Sequence, residues 1–341
     1  MFVLNSEITI GKVRFTGVLE VVIRKSVHSI AETATIKIPA IASLLKAGNA
    51  SPELINTAAA FKEGERVNIR LGYNGLLQDE FSGFVKKLTP GMPMQIDCEG
   101  YSWLLRRNRP ALKGKDSKLK TIVAAAVANL KGHENITVKC DEDLEFSGMA
   151  SGNMSGFDVI NYISKYTDEN ITFFFSDPKT IWCGRFYAAA MKGRSFNNAE
   201  VVKYRIGYNT PRANDLQQHS IDTEPGIVTY SRRTIDGIRI AHTASGVGTN
   251  AVVHAAVLNH VKDSFGMKLL AEERVRQHTY EGYEGKLTAF LQPYVVPGNK
   301  VHVSDELNAK MDGAYVVEST EVIFGIKGAR RKVELGVRTS K

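Results

Sequence analysis

The sequence predicts an α+β protein that is mainly β, with two related β-barrel domains and a small α+β domain inserted between them. Three observations lead to this prediction: strand-like alternation fills both ends of the chain, helical spacing is concentrated near its middle, and one short pattern occurs twice. The chain has 341 residues, which is more than one ordinary core holds. Apolar residues make up 43% and charged residues 23%, as in an ordinary globular protein.

The first predicted domain is a β-barrel over residues 1–108. Alternating and β-branched residues predict strands across residues 7–38 and again further along. Asn74-Gly75 is a strong signal for a two-residue hairpin turn. The Ala- and Leu-rich residues 41–61 lie between these strands and predict one or two short helices there.

The inserted α+β domain is predicted over residues 109–200. One helix is indicated by apolar residues at helical spacing, namely Leu119, Ile122, Val123, Ala126 and Leu130. Ser155 and Asp158 are three residues apart and resemble a capping box, which predicts the start of a second helix. Strands are predicted after each helix, so the unit has the element order of a small α+β domain.

The last predicted domain is a second β-barrel over residues 201–341. It contains one helix, near residues 266–281, followed by four strands that continue to the end of the sequence. Glu272 stands four residues from both Lys268 and Arg276. Such pairs stabilise the exposed face of a helix, so this helix is predicted to face solvent.

The repeated pattern consists of EGERVNIR, residues 63–70, and PGNKVHVS, residues 297–304. Each copy has a glycine turn, a strand, a loop, a second strand that begins with glycine, and a last strand. The positions that define the copies are Gly64, Val67 and Gly83 in the first and Gly298, Val301, Gly313 and Tyr315 in the second. Two related barrels are the simplest explanation. The alternative is that any two antiparallel meanders look alike.

The stretch EGERVNIRLGYNGLLQDEFSGFVKKL resembles the signature of contractile-tail baseplate hub proteins. These include the phage late control D family, the Mu-like tail proteins and the N-terminal part of the VgrG spike of type VI secretion. QPYVVPGNKVHVS and MDGAYVVESTEVIF resemble the second barrel of these proteins, and the resemblance covers nearly the whole chain. The long β-helical spike of VgrG has no counterpart in this sequence, which implies a separate spike protein.

The resemblance implies a structural hub with two tail-tube-like barrels. Three copies would place six barrels in a ring, which matches a hexameric tail tube on one side and a threefold spike on the other. The expected partners are two further copies in a homotrimer, the tail tube protein, the spike protein and other baseplate proteins. The expected location is the virion baseplate, after assembly in the host cytoplasm, with a membrane reached only through the spike. The hub of a bacterial type VI-like injection system is an alternative.

The net charge is +8, so the surface could attract nucleic acid, an anionic membrane or an acidic protein. Residues 106–120 hold seven basic residues and no aromatic residue for stacking on bases. A solvated linker is therefore favoured there over an acidic protein partner or a nucleic-acid-binding module, and no specific nucleic acid is expected. The three cysteines lie far apart, which indicates reduced thiols. The sequence shows neither a signal peptide nor a membrane span, which predicts folding in a cytoplasm.

No motif indicates catalysis, so we expect no catalytic residue, cofactor or metal. EGYEGKL, residues 281–287, lacks the glycine and hydroxyl positions of a phosphate loop. His254 and His260 have no matching cysteine or carboxylate cluster, and residues 141–143, Asp-Glu-Asp, are typical of a solvated turn. A cell-wall hydrolase stays open as a further alternative, without a candidate acid/base pair.

Overall fold

The computed structural model describes residues 3–44, 53–130, 135–140, 142–194, 196, 201–208, 216–219, 227–233, 239–245 and 253–340. Strands dominate this part of the chain, and most of them are antiparallel, which confirms a mainly β protein.

The first β-rich unit contains nine strands and two four-residue helices. In chain order these are β1 Leu4–Ile10, β2 Val13–Phe15, β3 Glu20–Ser26, β4 Ser29–Ile38, β5 Ile41–Leu44, β6 Glu53–Asn56, α1 Thr57–Ala60, β7 Arg66–Tyr73, β8 Leu76–Thr89, β9 Met94–Glu99 and α2 Ser102–Leu105. Alternate residues of the long strands are buried, as expected for strands with one face on a core. Asn74 and Gly75 have φ values of 52° and 83°, which confirms the predicted hairpin turn.

The prediction of one or two short helices in residues 41–61 is confirmed only in part. β5 and β6 pair antiparallel, from Ile41 opposite Asn56 to Leu44 opposite Glu53, and α1 is the one helix among the described residues of this stretch. Alanine and leucine raise helix propensity only by fractions of a kcal/mol per residue, so tertiary pairing readily overrides them. Residues 45–52 of this stretch lie outside the described residues.

The inserted unit follows as a mixture of helices and short strands. Its elements are β10 Lys113–Lys118, α3 Leu119–Val127, β11 Thr137–Cys140, β12 Glu145–Ala150, α4 Gly156–Tyr166, β13 Thr172–Asp177, β14 Thr180–Gly184 and α5 Phe186–Met191. The predicted capping box is confirmed, because the Ser155 hydroxyl accepts the Asp158 amide while the Asp158 carboxylate accepts the Ser155 amide. The predicted apolar face of α3 is confirmed for its four buried residues, Leu119, Ile122, Val123 and Ala126, whereas Leu130 lies beyond the end of the helix.

The second β-rich unit ends in four long strands. Its elements are β15 Val202–Arg205, β16 Leu216–His219, β17 Ile227–Arg233, β18 Arg239–Ser245, β19 Val253–Val257, α6 Ser264–His278, β20 Gly282–Ala289, β21 Lys300–Ser304, a 3₁₀ turn Ala309–Met311, β22 Gly313–Gly325 and β23 Gly328–Ser340. Helix α6 confirms the predicted helix, but the prediction that it faces solvent is wrong. Met267, Leu270 and Glu273 are all buried, because α6 packs on β17, β18 and α5.

One 13-stranded sheet joins the two β-rich units. Its strand order is β16-β20-β23-β22-β3-β4-β9-β8-β7-β1-β2, and β21 lies beside β22 and carries β15 on its outer edge. Strands from opposite ends of the chain therefore meet at β22 and β3. Backbone pairing among the described strands forms large antiparallel sheets without closing a barrel.

The core of the inserted unit continues into both β-rich units. Ile122 of α3 belongs to the same buried cluster as Phe84 and Tyr101 from the first unit. Met267 and Leu270 of α6, from the last third of the chain, complete that cluster. The inserted unit is therefore packed on elements from both ends of the chain.

Candidate assembly surface

The two predicted glycine turns have the same geometry. Gly64 has φ of 85° and Gly298 has φ of 84°, in the left-handed region that glycine adopts most easily. The Gly64 amide donates to the carbonyl of Val85 at 2.8 Å, and the Gly298 amide donates to the carbonyl of Val317 at 2.8 Å. Both turns thus hold the start of one strand against the middle of the next.

Close packing adds a second reason for glycine at both turns. A Cβ at Gly64 would lie 3.3 Å from the ring of Trp103. A Cβ at Gly298 would lie 3.1 Å from the Cβ of Phe196 and 3.3 Å from the ring of Phe174. Trp103 of the first unit therefore covers the first turn, and Phe174 and Phe196 of the inserted unit cover the second.

The strand register shows which residues of the two copies correspond. Val67 lies opposite Gly83, and Val301 lies opposite Tyr315, and both valines are buried. Tyr315 therefore occupies the position of Gly83, and the sequence alignment that matched Gly83 with Gly313 is wrong by two residues. Gly313 begins β22, but Gly83 lies inside β8, so the predicted strand that begins with glycine is wrong for the first copy.

A β-bulge is also repeated. In the first unit the pairing of β8 with β9 shifts between Val85 and Lys87, and in the second unit the pairing of β22 with β23 shifts between Val317 and Ser319. Bulges need an extra residue at one place in one strand, so two unrelated meanders have no reason to share one at matching positions. The repeated turn, register and bulge together favour two related units over two meanders that look alike by chance.

A strand joint connects the two units within the chain. β3 of the first unit runs antiparallel along the second half of β22, from Ser26 opposite Ser319 to Glu20 opposite Gly325. Phe324, near the tip of the β22–β23 hairpin, is 4% exposed because it packs into the core of the first unit. We call this contact of β3 with the β22–β23 hairpin the internal joint.

A buried ion pair supports the internal joint. Arg331 of β23 donates to Glu80 of β8 at 2.6 Å, and the two side chains are only 1% and 2% exposed. Arg331 also donates to the carbonyls of Val295 at 3.0 Å and Leu291 at 3.2 Å. These contacts satisfy charges that would be costly if left unpaired in the interior. Sequence reasoning did not find this pair, because 251 residues separate its members and no local pattern relates them.

Glu273 connects α6 with the inserted unit. Its carboxylate accepts the amides of Tyr187 at 2.6 Å and Ala188 at 3.0 Å at the start of α5. Burial raises the pKa of Glu273 to about 7. The hydroxyl of Tyr187 in turn donates to Glu318 of β22 at 2.8 Å, so the inserted unit is held directly against the second unit.

The basic run is not a linker. Residues 113–118 form strand β10 and the next residues begin α3. Arg106 donates to Glu99 at 2.7 Å and lies 3.4 Å from the ring centre of Phe157, while Arg107 lies 3.3 Å from the ring centre of Trp103. These two arginines are thus engaged in contacts within the protein.

The histidine and acidic residues considered for metal binding have ordinary surroundings. His254 lies 2.6 Å from Asp168, and Glu142 binds Arg185 at 3.1 Å, while Asp141 lies outside the described residues. Across the described part of the chain, no group of three or more histidine, cysteine or acidic residues is arranged to hold a metal ion. Within that same part, every helix is too short or too polar to cross a membrane.

Solved structures share this fold along the whole chain. A tail protein from Neisseria meningitidis is 13% identical with a TM-score of 0.66, and the match covers 98% of both chains. The 43 kDa tail protein of prophage MuSo2 from Shewanella oneidensis is 13% identical with a TM-score of 0.64, again over 98% of both chains.

A third solved structure comes from a secretion system. It is an Escherichia coli component of type VI secretion that is structurally similar to the T4 bacteriophage tail proteins gp27 and gp5; it is 10% identical, with a TM-score of 0.57 over 98% of this chain and 77% of that one. No protein-family model and no curated protein sequence matches the chain. The resemblance noted in the sequence is therefore confirmed at the level of the fold, which this chain shares with bacterial and prophage tail proteins and with a type VI secretion component.

Proposed function

We propose that the protein is the structural hub of a contractile-tail baseplate, acting as a homotrimer. Each chain supplies two tail-tube-like barrel domains, over residues 1–108 and 201–341, and the α+β unit over residues 109–200 lies between them. Three chains then form a ring of six similar units with true threefold symmetry.

The observation that supports this proposal best is the internal joint between two related units. Their turns, register and bulge match, and one continuous sheet passes from one unit to the other. A chain that already joins two equivalent units edge to edge is suited to continue the arrangement with further chains. The duplication also has a mechanical reason, since six units meet the tail tube while three chains meet the spike.

The partners of such a hub are the tail tube protein, the spike protein and other baseplate proteins, in a virion assembled in the host cytoplasm. A membrane is met only through the spike. The similarity to a type VI secretion component supports the alternative of a bacterial injection system, in which the chain has the same mechanical role. The proposal assigns the protein no enzymatic activity and no specific nucleic acid.

Native mass spectrometry tests this proposal. At micromolar concentration, with tube and spike proteins added, we expect mainly species that contain three copies of the 37.6 kDa chain. A stable dimer, or a monomer that persists in the presence of both partners, would contradict the hub. A salt-dependent shift with duplex DNA at physiological ionic strength would instead favour a nucleic-acid-binding module.

A further inference from the structure

We propose that neighbouring chains are joined by a second copy of the internal joint, in which β16 of one chain pairs antiparallel with Lys87–Thr89 of β8 in the next. The partner is thus a second copy of this chain, and the contact is head to tail. The inference rests on the proposed function only for the number of chains in the ring.

The strands on both sides of the joint have counterparts in the other unit. Across the second unit, Val317 lies opposite Leu335, Leu335 opposite Gly285, and Gly285 opposite Leu216. Across the first unit, Val85 lies opposite Cys98, Cys98 opposite Ala34, and Ala34 opposite Ile23. β16 is therefore the counterpart of β3, and β8 is the counterpart of β22.

This correspondence fixes the register of the proposed contact. The internal joint pairs Glu321 with Arg24, Thr320 with Lys25 and Ser319 with Ser26. When each of these residues is replaced by the equivalent residue of the other unit, the predicted pairs between chains are Thr89 with Gln217, Leu88 with Gln218 and Lys87 with His219. The side chains of Arg24 and Glu321 form an ion pair at 2.8 Å, so side chains at the Thr89 and Gln217 positions are close enough to touch across such a joint.

Both edges are open within the described residues. β8 is paired with β9 on one side through Thr89, whereas its pairing with β7 on the other side ends at Phe84. β16 pairs with β20 on one side, and no described strand lies on its other side. Exposed strand edges invite pairing with another chain, and β3 shows what kind of strand fits such an edge here.

Met92 provides an independent observation. It lies in the turn between β8 and β9 and is 89% exposed, although it is a large apolar side chain. Met92 follows Val85 by the same number of residues as Phe324 follows Val317. Phe324 lies in β22 just before the hairpin turn and is 4% exposed because the neighbouring unit covers it, whereas Ile326 in the turn itself is 81% exposed. An adjoining second unit would cover Met92 in the same way, which removes apolar surface from water.

The contact between chains is expected to be weaker than the internal joint. Thirteen residues separate Val85 from Cys98, whereas 18 separate Val317 from Leu335, so the β8–β9 hairpin is shorter by five residues. The next residue after Thr89 is Pro90, which has no amide hydrogen to continue a ladder. Fewer backbone bonds suit a contact that forms only when chains assemble.

Cysteine cross-linking in the full chain tests the register. Residues directly opposite each other in an antiparallel pair have Cβ atoms about 4.5–5.5 Å apart, near the range in which a disulfide closes. Thr89→Cys and Gln217→Cys chains, mixed and oxidised with diamide, should give a covalent two-chain species, while each alone should not. Thr89→Cys mixed with Gln218→Cys is the matched control, since Gln218 points to the opposite face of β16. The native thiols of Cys98, Cys140 and Cys183 are common to all samples.

The outcomes separate this inference from the hub proposal. If three-chain species form but Thr89 and Gln217 do not cross-link, the joint is wrong and the hub stands. If they cross-link but the chains grow without closing at three, the joint stands and the hub stoichiometry is wrong.

A second variant tests the joint without cysteines. Met92→Asp should shift the assembled protein to single chains by size-exclusion chromatography, because a carboxylate cannot be buried under the next unit. Leu76→Asp is the control: Leu76 is 78% exposed at the β7–β8 turn, away from the proposed joint, and its replacement should leave assembly unchanged. Unchanged assembly of both variants would overturn the inference.

Discussion

The β8–β9 and β22–β23 hairpins have the same geometry at their bases and different surroundings at their far ends. In both hairpins a glycine turn bonds to the first strand, and a bulge directly follows the residue that accepts this bond. Phe324, near the end of β22, is buried against the first unit, whereas Met92, at the tip of β8–β9, is exposed. The comparison teaches that backbone geometry follows from the repeated pattern, while the contacts of each tip depend on which unit lies next to it.

The largest expected effect comes from breaking the buried ion pair that supports the internal joint. Arg331→Met leaves Glu80 buried without a partner, which typically costs about 3–5 kcal/mol of unfolding free energy. Chemical denaturation of the variant and the wild type measures this cost. The double variant Arg331→Met/Glu80→Leu should recover much of the loss, because no buried charge then stays unpaired.

A neighbouring residue serves as the control for that substitution. Lys332 adjoins Arg331 but its side chain is 40% exposed and forms only a 3.7 Å ion pair with Glu321. Lys332→Met should change the unfolding free energy by about 1 kcal/mol or less. Equal effects at the two positions would mean that the buried pair does not stabilise the joint.

The two glycine turns should respond alike to substitution. Gly64→Ala and Gly298→Ala each force a residue with a Cβ into a left-handed conformation against an aromatic neighbour, at a cost of about 1–3 kcal/mol. Gly75→Ala is the matched control, because Gly75 has φ of 83° but nothing within 4 Å of its Cβ position. Melting temperatures should fall more for the first two variants than for the control. If only one of the two substitutions lowers the melting temperature, the two turns are not equivalent.

The smallest expected effect is a pH dependence at Glu273, in the contact between the inserted unit and α6. Burial raises its pKa to about 7, so the folded protein binds this proton more tightly than the unfolded chain. Its contribution to stability is therefore fully present below the ordinary carboxyl pKa and is lost as pH rises through about 7. The melting temperature of the wild type minus that of Glu273→Gln should fall across this range. A difference that stays constant would show that Glu273 does not titrate there, and Glu272→Gln, on the same helix, is the control.

Local features of the fold were predictable because adjacent residues encode them. The Asn74-Gly75 turn, the capping box of Ser155 and the apolar face of α3 each follow from a few neighbouring side chains. Gly64 and Gly298 were identified because the same turn geometry selects glycine twice. The division into domains at residues 108 and 200 stays a prediction.

Features that depend on distant contacts were missed. The sequence predicts a solvent-facing helix near residues 266–281, but α5 supplies amides that accommodate the carboxylate of Glu273 in the interior. The basic residues 106–120 predict a linker, but β12 supplies a partner strand for Lys113–Lys118. The pairing of β3 with β22 had no signal in either strand alone. Met92 could have been found, since a large apolar residue among Pro90, Gly91 and Pro93 is unusual for a solvated turn.

Electron cryomicroscopy of the assembled protein tests the central claim most directly, which is that three chains with two equivalent units each build one ring. The predicted result is a ring of six similar β units with exact threefold symmetry, in which internal joints alternate with β16–β8 contacts between chains. A ring of six chains, a closed dimer, or a trimer whose two units lie at different radii would contradict the account.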